Sequence, residues 1–293
     1  MDKKIVTKNL TSLSYPKISI VTPCYNSEKY IESTILSVLN QNYPNLEYFI
    51  IDGGSKDNTL EIVKKYQNQL TFWISEKDSG MYDALQKGFE KTTGEIMGWI
   101  GSDDMYHQNS FFTIAEIFSL SKNIKWLLGA STIFDEIGRT IHAQKSRKFT
   151  KEDFRKGDFK WVQQESCLWH RDLWVSAGSK LNTNLKFAGD FELWLRFFRF
   201  EELHVTDALI AGFRMRSSNQ LSLDHMDEYL AEVKDVLNIE NLNLDLKNKL
   251  KANNSKIIST LNKPISHIYF NRRTQKFALH IEGEQLNDFL SET

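Results

Sequence analysis

"LTFWISEKDSGMYDALQKGFEKTTGEIMGWIGSDD", residues 70 to 104, holds one full cycle of the pattern that decides the fold. "LTFWIS" is a short apolar run of strand length. Polar "EKDSG" breaks it, and Met81, Leu85, Gly88 and Phe89 then recur at the spacing of a helix face before "EIMGWIG" supplies a second apolar run. Two strands joined through a helix run parallel in one sheet, because the connection is too long for a hairpin. The same cycle occurs twice upstream. "KISIVTP" (17 to 23) ends in Pro23 and polar "YNSE"; Ser27 is placed to cap a helix carrying Tyr30 or Ile31, Ile35, Val38 and Leu39, which "QNYPN" ends. "LEYFIID" is a strand and "GGSKDN" a turn, and Leu60, Ile62 and Val63 begin a helix that runs to about Tyr66. This alternation predicts an α/β fold with a largely parallel sheet covered on both faces.

Past residue 105 the alternation loosens. Helical "SFFTIAEIFSL", a strand "KWLLGAS" and a hairpin about "DEIGRT" lead into "FTKEDFRKGDFKWVQQESCLWHRDLW", which is dense in aromatic residues. "DFELWLRFFRF" is a strongly apolar helix and "LIAGFRMR" a final strand. From about Asp224 the chain reads as helical and polar. Between Asp245 and Lys276 it carries Lys247, Lys249, Lys251, Lys256, Lys263, Arg272, Arg273 and Lys276 against Asp245 alone. The expected organisation is an N-terminal extension over 1–16, a domain over 17–223 and a helical, partly basic C-terminal extension over 224–293.

A chain of 293 residues can bury a large core. With 37 Lys and Arg against 38 Asp and Glu, nothing in the overall charge asks for nucleic acid, and a polyanionic ligand would have to be met by a local patch. Cys24 and Cys167 are the only cysteines, too few for a disulfide framework or a four-thiolate zinc site. They fit a reduced, intracellular setting. No apolar run approaches membrane-spanning length. The expectation is a cytoplasmic protein, soluble or held peripherally on the inner face of the cell membrane.

In an open parallel sheet, ligands gather beyond the carboxyl ends of the strands. Three polar clusters fall at such ends: "TPCYN", "DGGSKD" and "SDD". Asp52 at a strand tip would suit a base imide or a ribose hydroxyl; the plainer reading is that Asp52 and Asp57 cap a turn and a helix. The glycines lack the GxGxxG spacing of a dinucleotide loop, which disfavours a dehydrogenase. Tyr25 is placed to stack on a base while Thr22 and Pro23 shape the pocket, or simply to pack.

Asp103 and Asp104 are the stronger signal. Adjacent carboxylates repel, and a hard divalent cation, which prefers oxygen ligands, would relieve the repulsion. A helix N-cap is the alternative, although two carboxylates are more than one cap needs. Asp190 precedes a helix with an apolar face of Leu193, Trp194, Phe197 and Phe198, and is either a first-turn acid or a general base. The seven histidines show no metal-binding spacing, and His170, His204 and Cys167 read as packing or surface residues.

Taken in order, "ISIVTPCYN", "FIIDGGSKDNT", "SEKDSGMYDALQKGFEKTTGEIMGWIGSDD" and "FAGDFELWLRF" resemble a family-2 glycosyltransferase of the GT-A fold, over about residues 17 to 216. The resemblance implies a Rossmann-like, mostly parallel central sheet with helices on both faces and a nucleotide-diphospho-sugar donor, with uridine the expected base. It also implies a Mn2+ or Mg2+ ion and inverting transfer to a hydroxyl of a glycan or lipid-linked acceptor in bacterial surface polysaccharide synthesis. Carried over by residue, Thr22, Pro23 and Tyr25 would border the base and Asp52 would hydrogen-bond it. Asp78 and Gly80 would lie nearest the donor, with Lys87 a lesser candidate. Asp103 would meet the ribose or sugar, Asp104 the metal, and Asp190 would be the general base.

Three positions depart from the family pattern. The acidic motif reads Ser102-Asp103-Asp104, with a hydroxyl first. Asp52-Gly53-Gly54-Ser55 stands where many relatives have Asp-Asp-Gly-Ser, leaving one carboxylate. Arg216 stands where relatives often have histidine, so that Arg214 or Arg216 would meet the diphosphate instead. A nucleotide-sugar-binding protein without transferase activity is the competing reading, and the intact Asp190 argues against it. The basic extension has three open readings: contact with anionic lipid, a solvated face, or a contact between copies in a homo-oligomer.

Overall fold

β1 (Ile18–Cys24) is buried along its whole length, as a strand covered on both faces must be. The computed structural model describes residues 15–159, 162–217, 220, 224–251, 265–271 and 274–281. In it β1 pairs in parallel with β2 (Leu46–Asp52) and β4 (Ile96–Trp99), and β2 pairs in parallel with β3 (Phe72–Ser75). The crossovers are α1 (Ile31–Leu39), α2 (Thr59–Tyr66) and α3 (Met81–Phe89). The alternation expected over residues 17 to 104 is therefore present. One detail differs: Ser27 does not cap α1 with its side chain. Its hydroxyl lies 2.7 Å from that of Ser102, while its carbonyl accepts the Tyr30 and Ile31 N–H groups.

After β4 come β5 (Met105–Tyr106), α4 (Ser110–Leu120), β6 (Trp126–Leu128), β7 (Ser131–Phe134) and β8 (Thr140–Gln144). Then follow α5 (Lys151–Arg155), β9 (Cys167–His170), α6 (Arg171–Ser176), α7 (Gly189–Phe197), β10 (His204–Val205) and β11 (Ala211–Arg214). α8 (Met226–Lys251), β12 (Ile265–Asn271) and β13 (Lys276–Ile281) complete the described elements. The main sheet runs β10-β6-β9-β4-β1-β2-β3. β9 is antiparallel to both β4 and β6, so the sheet is parallel on one side of β4 and mixed on the other. A smaller sheet, β5-β11-β7-β8, includes the expected "DEIGRT" hairpin between β7 and β8.

The aromatic-rich segment is core. Trp99, Trp126 and Trp169 are buried against Trp194 of α7, with the Trp99 and Trp194 rings stacked at 5.6 Å. Val233 and Val236 of α8 belong to the same buried cluster, so the first turns of the C-terminal extension pack on the domain. Among the described residues, no helix is long and apolar enough to cross a membrane. Residues 1–14 and, in the basic stretch, Lys256, Lys263, Arg272 and Arg273 lie outside the described residues.

Candidate active site

Parallel pairing brings the carboxyl ends of β1, β2 and β3 into line, with Cys24 opposite Asp52 and Asp52 opposite Ser75. The loops beyond this edge enclose a cleft of about 1320 Å³. Of the residues expected at the donor, Pro23, Tyr25, Asp78, Gly80 and Asp103 line it. Tyr25 is 60% exposed, so its ring face is available for stacking. Gly80 has φ of 126°, a conformation that disfavours any side chain even though a Cβ there would meet no neighbouring atom. Its N–H donates to Asp78 at 2.9 Å. Burial pushes the Asp78 carboxyl above its ordinary range.

Three expected residues lie elsewhere. Thr22 is fully buried, its hydroxyl 3.0 Å from that of Tyr48, inside the sheet rather than beside a base. Asp52 is 1% exposed and its oxygens are engaged from within. It accepts the Gly54 and Ser55 N–H groups at 3.0 Å each, the Ser75 hydroxyl at 2.6 Å and the Ser55 hydroxyl. It therefore fastens the turn beneath the cleft floor. Asp57 likewise accepts the Thr59 N–H at the start of α2, at 3.0 Å, so the capping reading describes both acids.

The acidic pair is divided between interior and cleft. Asp104, expected on a metal, is buried, and its Oδ1 accepts the Arg214 N–H at 2.8 Å. Burial, then the charges of Asp103 and Glu165, push its carboxyl well above the usual range. Asp103, expected on the sugar, is the member that lines the cleft, its Oδ2 3.2 Å from Arg216 Nε. Neither acid caps a helix, since α4 begins at Ser110 behind Asn109. Ser102 ties the end of β4 to the "TPCYN" loop through Ser27.

The two arginines separate in the same way. Arg214 is 2% exposed, and its guanidinium donates to the carbonyls of Asp103 and Glu136 and to the Ser33 hydroxyl. Arg216 lines the cleft together with Lys29, Lys56 and Lys77. These lysines carried no motif in the sequence and were missed. With Arg216 they set four cationic side chains beside the acids Glu76, Asp78 and Asp103 in the cleft lining, and such local cations are what a polyanionic ligand requires. Lys87 is turned to Glu76 and Asp83, at 2.8 and 3.5 Å.

A divalent cation can be tested against this geometry. Among the described residues, no cluster of three or more His, Cys, Asp or Glu forms a cage. Asp103 alone of the pair offers a carboxylate to the cleft. One carboxylate completed by substrate phosphates is a usual set for Mg2+-type ions. The residues fit a cation that shares its ligands with a diphosphate.

Asp190 stands in the first turn of α7. Gly189 before it lies against the Tyr82 ring, where a Cβ would come within 2.8 Å of ring carbons, so the close approach of α7 to α3 requires glycine. Asp190 Oδ1 accepts the Phe191 N–H at 2.8 Å and lies 3.4 Å from the Tyr82 hydroxyl. Burial lifts its carboxyl to about 6. Glu165, which sequence reasoning passed over, is 4% exposed, and its Oε1 has no hydrogen-bond partner among the described residues. Burial, with the charges of Asp103 and Asp190 adding, lifts it to about 8. Its one available signal was a lone acid in the apolar, aromatic run "WVQQESCLW".

Known proteins resemble this chain in sequence and in fold. A family-wide sequence model described as "Glycosyl transferase family 2" matches residues 19–169. An uncharacterized glycosyltransferase of Rickettsia typhi is 24% identical over 223 residues, covering 74% of this chain and 70% of its own length. TuaG of Bacillus subtilis, named for teichuronic acid biosynthesis, is 30% identical over 132 residues, 44% of this chain and 49% of that one. The crystal structure of residues 1–349 of S. aureus TarS in complex with UDP-GlcNAc aligns with TM-score 0.56 and 21% identity, over 70% of this chain. This chain spans 60% of that TarS fragment. The mannosyltransferase PcManGT of Pyrobaculum calidifontis, in complex with GDP-Man and Mn2+, aligns with TM-score 0.56 and 16% identity, over 80% of this chain and 68% of that one. At these identities the structural likeness is one of fold.

Proposed function

The chain belongs to glycosyl transferase family 2, and on that premise we propose that it transfers a sugar from a UDP-sugar to a hydroxyl of a glycan or lipid-linked acceptor, with inversion, in surface polysaccharide synthesis. The observation that carries the reading is the cleft at the carboxyl edge of the sheet, where Asp103 and four cationic side chains, Lys29, Lys56, Lys77 and Arg216, share one wall system with exposed Tyr25. An aromatic face for a base beside cations for a diphosphate suits a nucleoside diphosphate better than a neutral ligand. The UDP-GlcNAc complex of TarS and the pathway for which TuaG is named support uridine and a polysaccharide product.

In this reading Pro23 and Tyr25 border the base, and Asp78 and Gly80 lie along the donor. Asp103 replaces Asp104 as the carboxylate that would hold Mn2+ or Mg2+, and Arg216 with the lysines steadies the diphosphate. A bound divalent ion supplies charge neutralisation on the leaving diphosphate. Asp190 removes the proton from the acceptor hydroxyl as its oxygen attacks the anomeric carbon. A carboxyl lifted to about 6 is ionised near neutrality yet more basic than an ordinary one, which suits that task. The single displacement needs no enzyme nucleophile, unlike a retaining glycosidase.

Thermal melts with UDP, UDP-sugars and GDP-sugars, each with and without Mn2+, test the donor, because a bound ligand raises the melting temperature by mass action. Stabilisation by a UDP-sugar with Mn2+ is expected. Stabilisation by GDP-sugars alone would remove the uridine assignment, and none by any donor would remove the reading. Release of UDP with glycan and lipid-linked hydroxyl acceptors, and the anomeric configuration of the product, then test transfer and inversion.

A further inference from the structure

Three consecutive backbone N–H groups just ahead of α7 converge on one carboxylate. Lys186 donates to Glu232 Oε1 at 2.8 Å, and Phe187 and Ala188 each donate to Oε2 at 2.9 Å. Glu232 is in α8, 46 residues beyond Lys186. The residue in the cap position of α7 is Ala188, whose methyl group cannot accept a hydrogen bond, and no side-chain cap bond is formed there. Free N–H groups at a helix start need acceptors, and the helix dipole favours a negative one. The Ala188 N–H is such a group, the Lys186 and Phe187 N–H groups precede the helix, and one carboxylate from a distant helix accepts all three.

The same loop is held from its other side. The Phe187 carbonyl accepts the Tyr82 hydroxyl of α3 at 2.7 Å, and the Phe187 ring stacks on His225 at 4.9 Å. Residues 186–188 thus lie between α3 and α8, and Asp190 follows two residues later. α8 is itself anchored, with Val233 and Val236 in the core and Glu240 paired with Arg199.

We propose that Glu232 is a positioning residue for transfer: α8 fixes the 186–188 backbone and thereby the place of Asp190, which makes the C-terminal extension part of the active site. The proposal rests on the reading of Asp190 as general base. The groups whose charge or hydroxyl acts on Asp190 come from each packed element: Tyr82 of α3, Glu165 of the 164–166 turn, Cys167 of β9, and Tyr229 and Glu232 of α8. Glu232 is the one that both holds the loop and adds negative charge, which helps keep the Asp190 proton on.

The test uses the full chain. Hydrogen exchange reads the 186–188 amides, carbon NMR reads the titration of Asp190, assigned by loss of its signal in Asp190→Asn, and calorimetry reads the affinity for UDP with Mn2+. In the wild type the three amides are expected to be protected. Glu232→Gln removes the charge and turns one of the two accepting atoms into an NH2 donor; it should lose protection at the amides that faced that atom and lower the Asp190 midpoint. UDP affinity should be unchanged and kcat for UDP release from a UDP-sugar should fall by up to about 100-fold, the scale of a small misplacement of a reacting group. Glu232→Asp keeps the charge on a shorter stem, so it should loosen the amides while leaving the midpoint closer to the wild-type value.

Two results would overturn the proposal: wild-type amides that exchange like exposed loop, or a Glu232→Gln chain with unchanged protection and an unchanged Asp190 midpoint. If the variants unfold, the wild-type exchange result decides. Full transfer by Asp190→Asn would instead remove the base assignment, while exchange would still report whether Glu232 holds the loop.

Discussion

Of the residues proposed to meet the donor, Pro23 is near the end of β1 and Tyr25, Asp78 and Asp103 belong to loops that follow β1, β3 and β4, all within the repeating strand and helix pattern. Asp190, the proposed base, is not among the residues lining the cleft; it begins a helix that packs with buried tryptophans, and the loop before it donates to a carboxylate 42 residues further along the chain, Glu232 against Asp190. The donor side is assembled from successive turns of one repeating strand and helix pattern, the acid side from elements outside it. The two sides are therefore expected to break differently: a change at the donor side alters one contact, and a change at the acid side alters the placement of the proposed base.

The largest effect is expected at Asp190. Asp190→Asn should lower transfer by about a thousandfold, the middle of the range for losing a general base, while leaving UDP affinity with Mn2+ intact. Transfer at the wild-type rate would remove the base assignment and with it the contrast between the sides. The same group sets the pH dependence. Its folded carboxyl, lifted to about 6, must lose a proton to act, so kcat should rise as the pH passes upward through about 6 and level off above. Stability runs the other way. Between the ordinary carboxylate range and about 6 the folded chain holds a proton that the unfolded chain has lost, so stability falls as the pH rises through that window. Asp190→Asn has no such proton to lose and should melt higher than the wild type at pH 7.5.

The acidic pair sharpens the comparison within the donor side. Asp103→Ala should weaken UDP binding in the presence of Mn2+ by about tenfold or more, roughly 1.4 kcal/mol, with little change in melting temperature. Asp104→Ala strips a buried acceptor from the Arg214 N–H and should cost about 1–3 kcal/mol of stability while UDP affinity persists in the folded fraction. The opposite pattern, with Asp104 governing affinity, would return the cation to Asp104.

The legible and illegible parts divide along the same line. Residues 17 to 104 were readable because apolar period and polar breaks coincide in each cycle, and the cleft edge followed from the parallel pairing. What could not be read was which face a residue takes. β1 is buried on both sides, and β2 is buried over its last five residues, so no polar phase marks the orientation of Thr22 or Asp52. Asp103 and Asp104 sit in a turn, and their division is fixed by the Arg214 N–H, 110 residues away. β9 escaped notice because "CLWH" is a short run in an aromatic segment, and its reversal depends on β4 and β6. Glu232 lies in a polar helix where nothing local distinguishes it from a solvated acid. Composition could forecast that a polyanion needs a local patch, but only folding brings Lys29, Lys56, Lys77 and Arg216 to one cleft.

The smallest expected effect separates two residues that the sequence placed together at the base. Tyr25 is 60% exposed, so Tyr25→Ala removes no core packing and should leave the melting temperature unchanged. It should weaken UDP binding by about fivefold, the low end for losing a base–aromatic stack of roughly 1 kcal/mol, because the ring is open to water on its other faces. Thr22→Val should do the reverse. The hydroxyl it deletes meets only the buried Tyr48 hydroxyl, at 3.0 Å, so the loss is about 1 kcal/mol of stability with UDP affinity kept. Calorimetry with UDP and Mn2+ and a denaturant titration of each variant check the pair. If Thr22→Val weakened UDP binding as much as Tyr25→Ala did, Thr22 would border the base and the cleft would extend deeper into the sheet than its lining residues indicate.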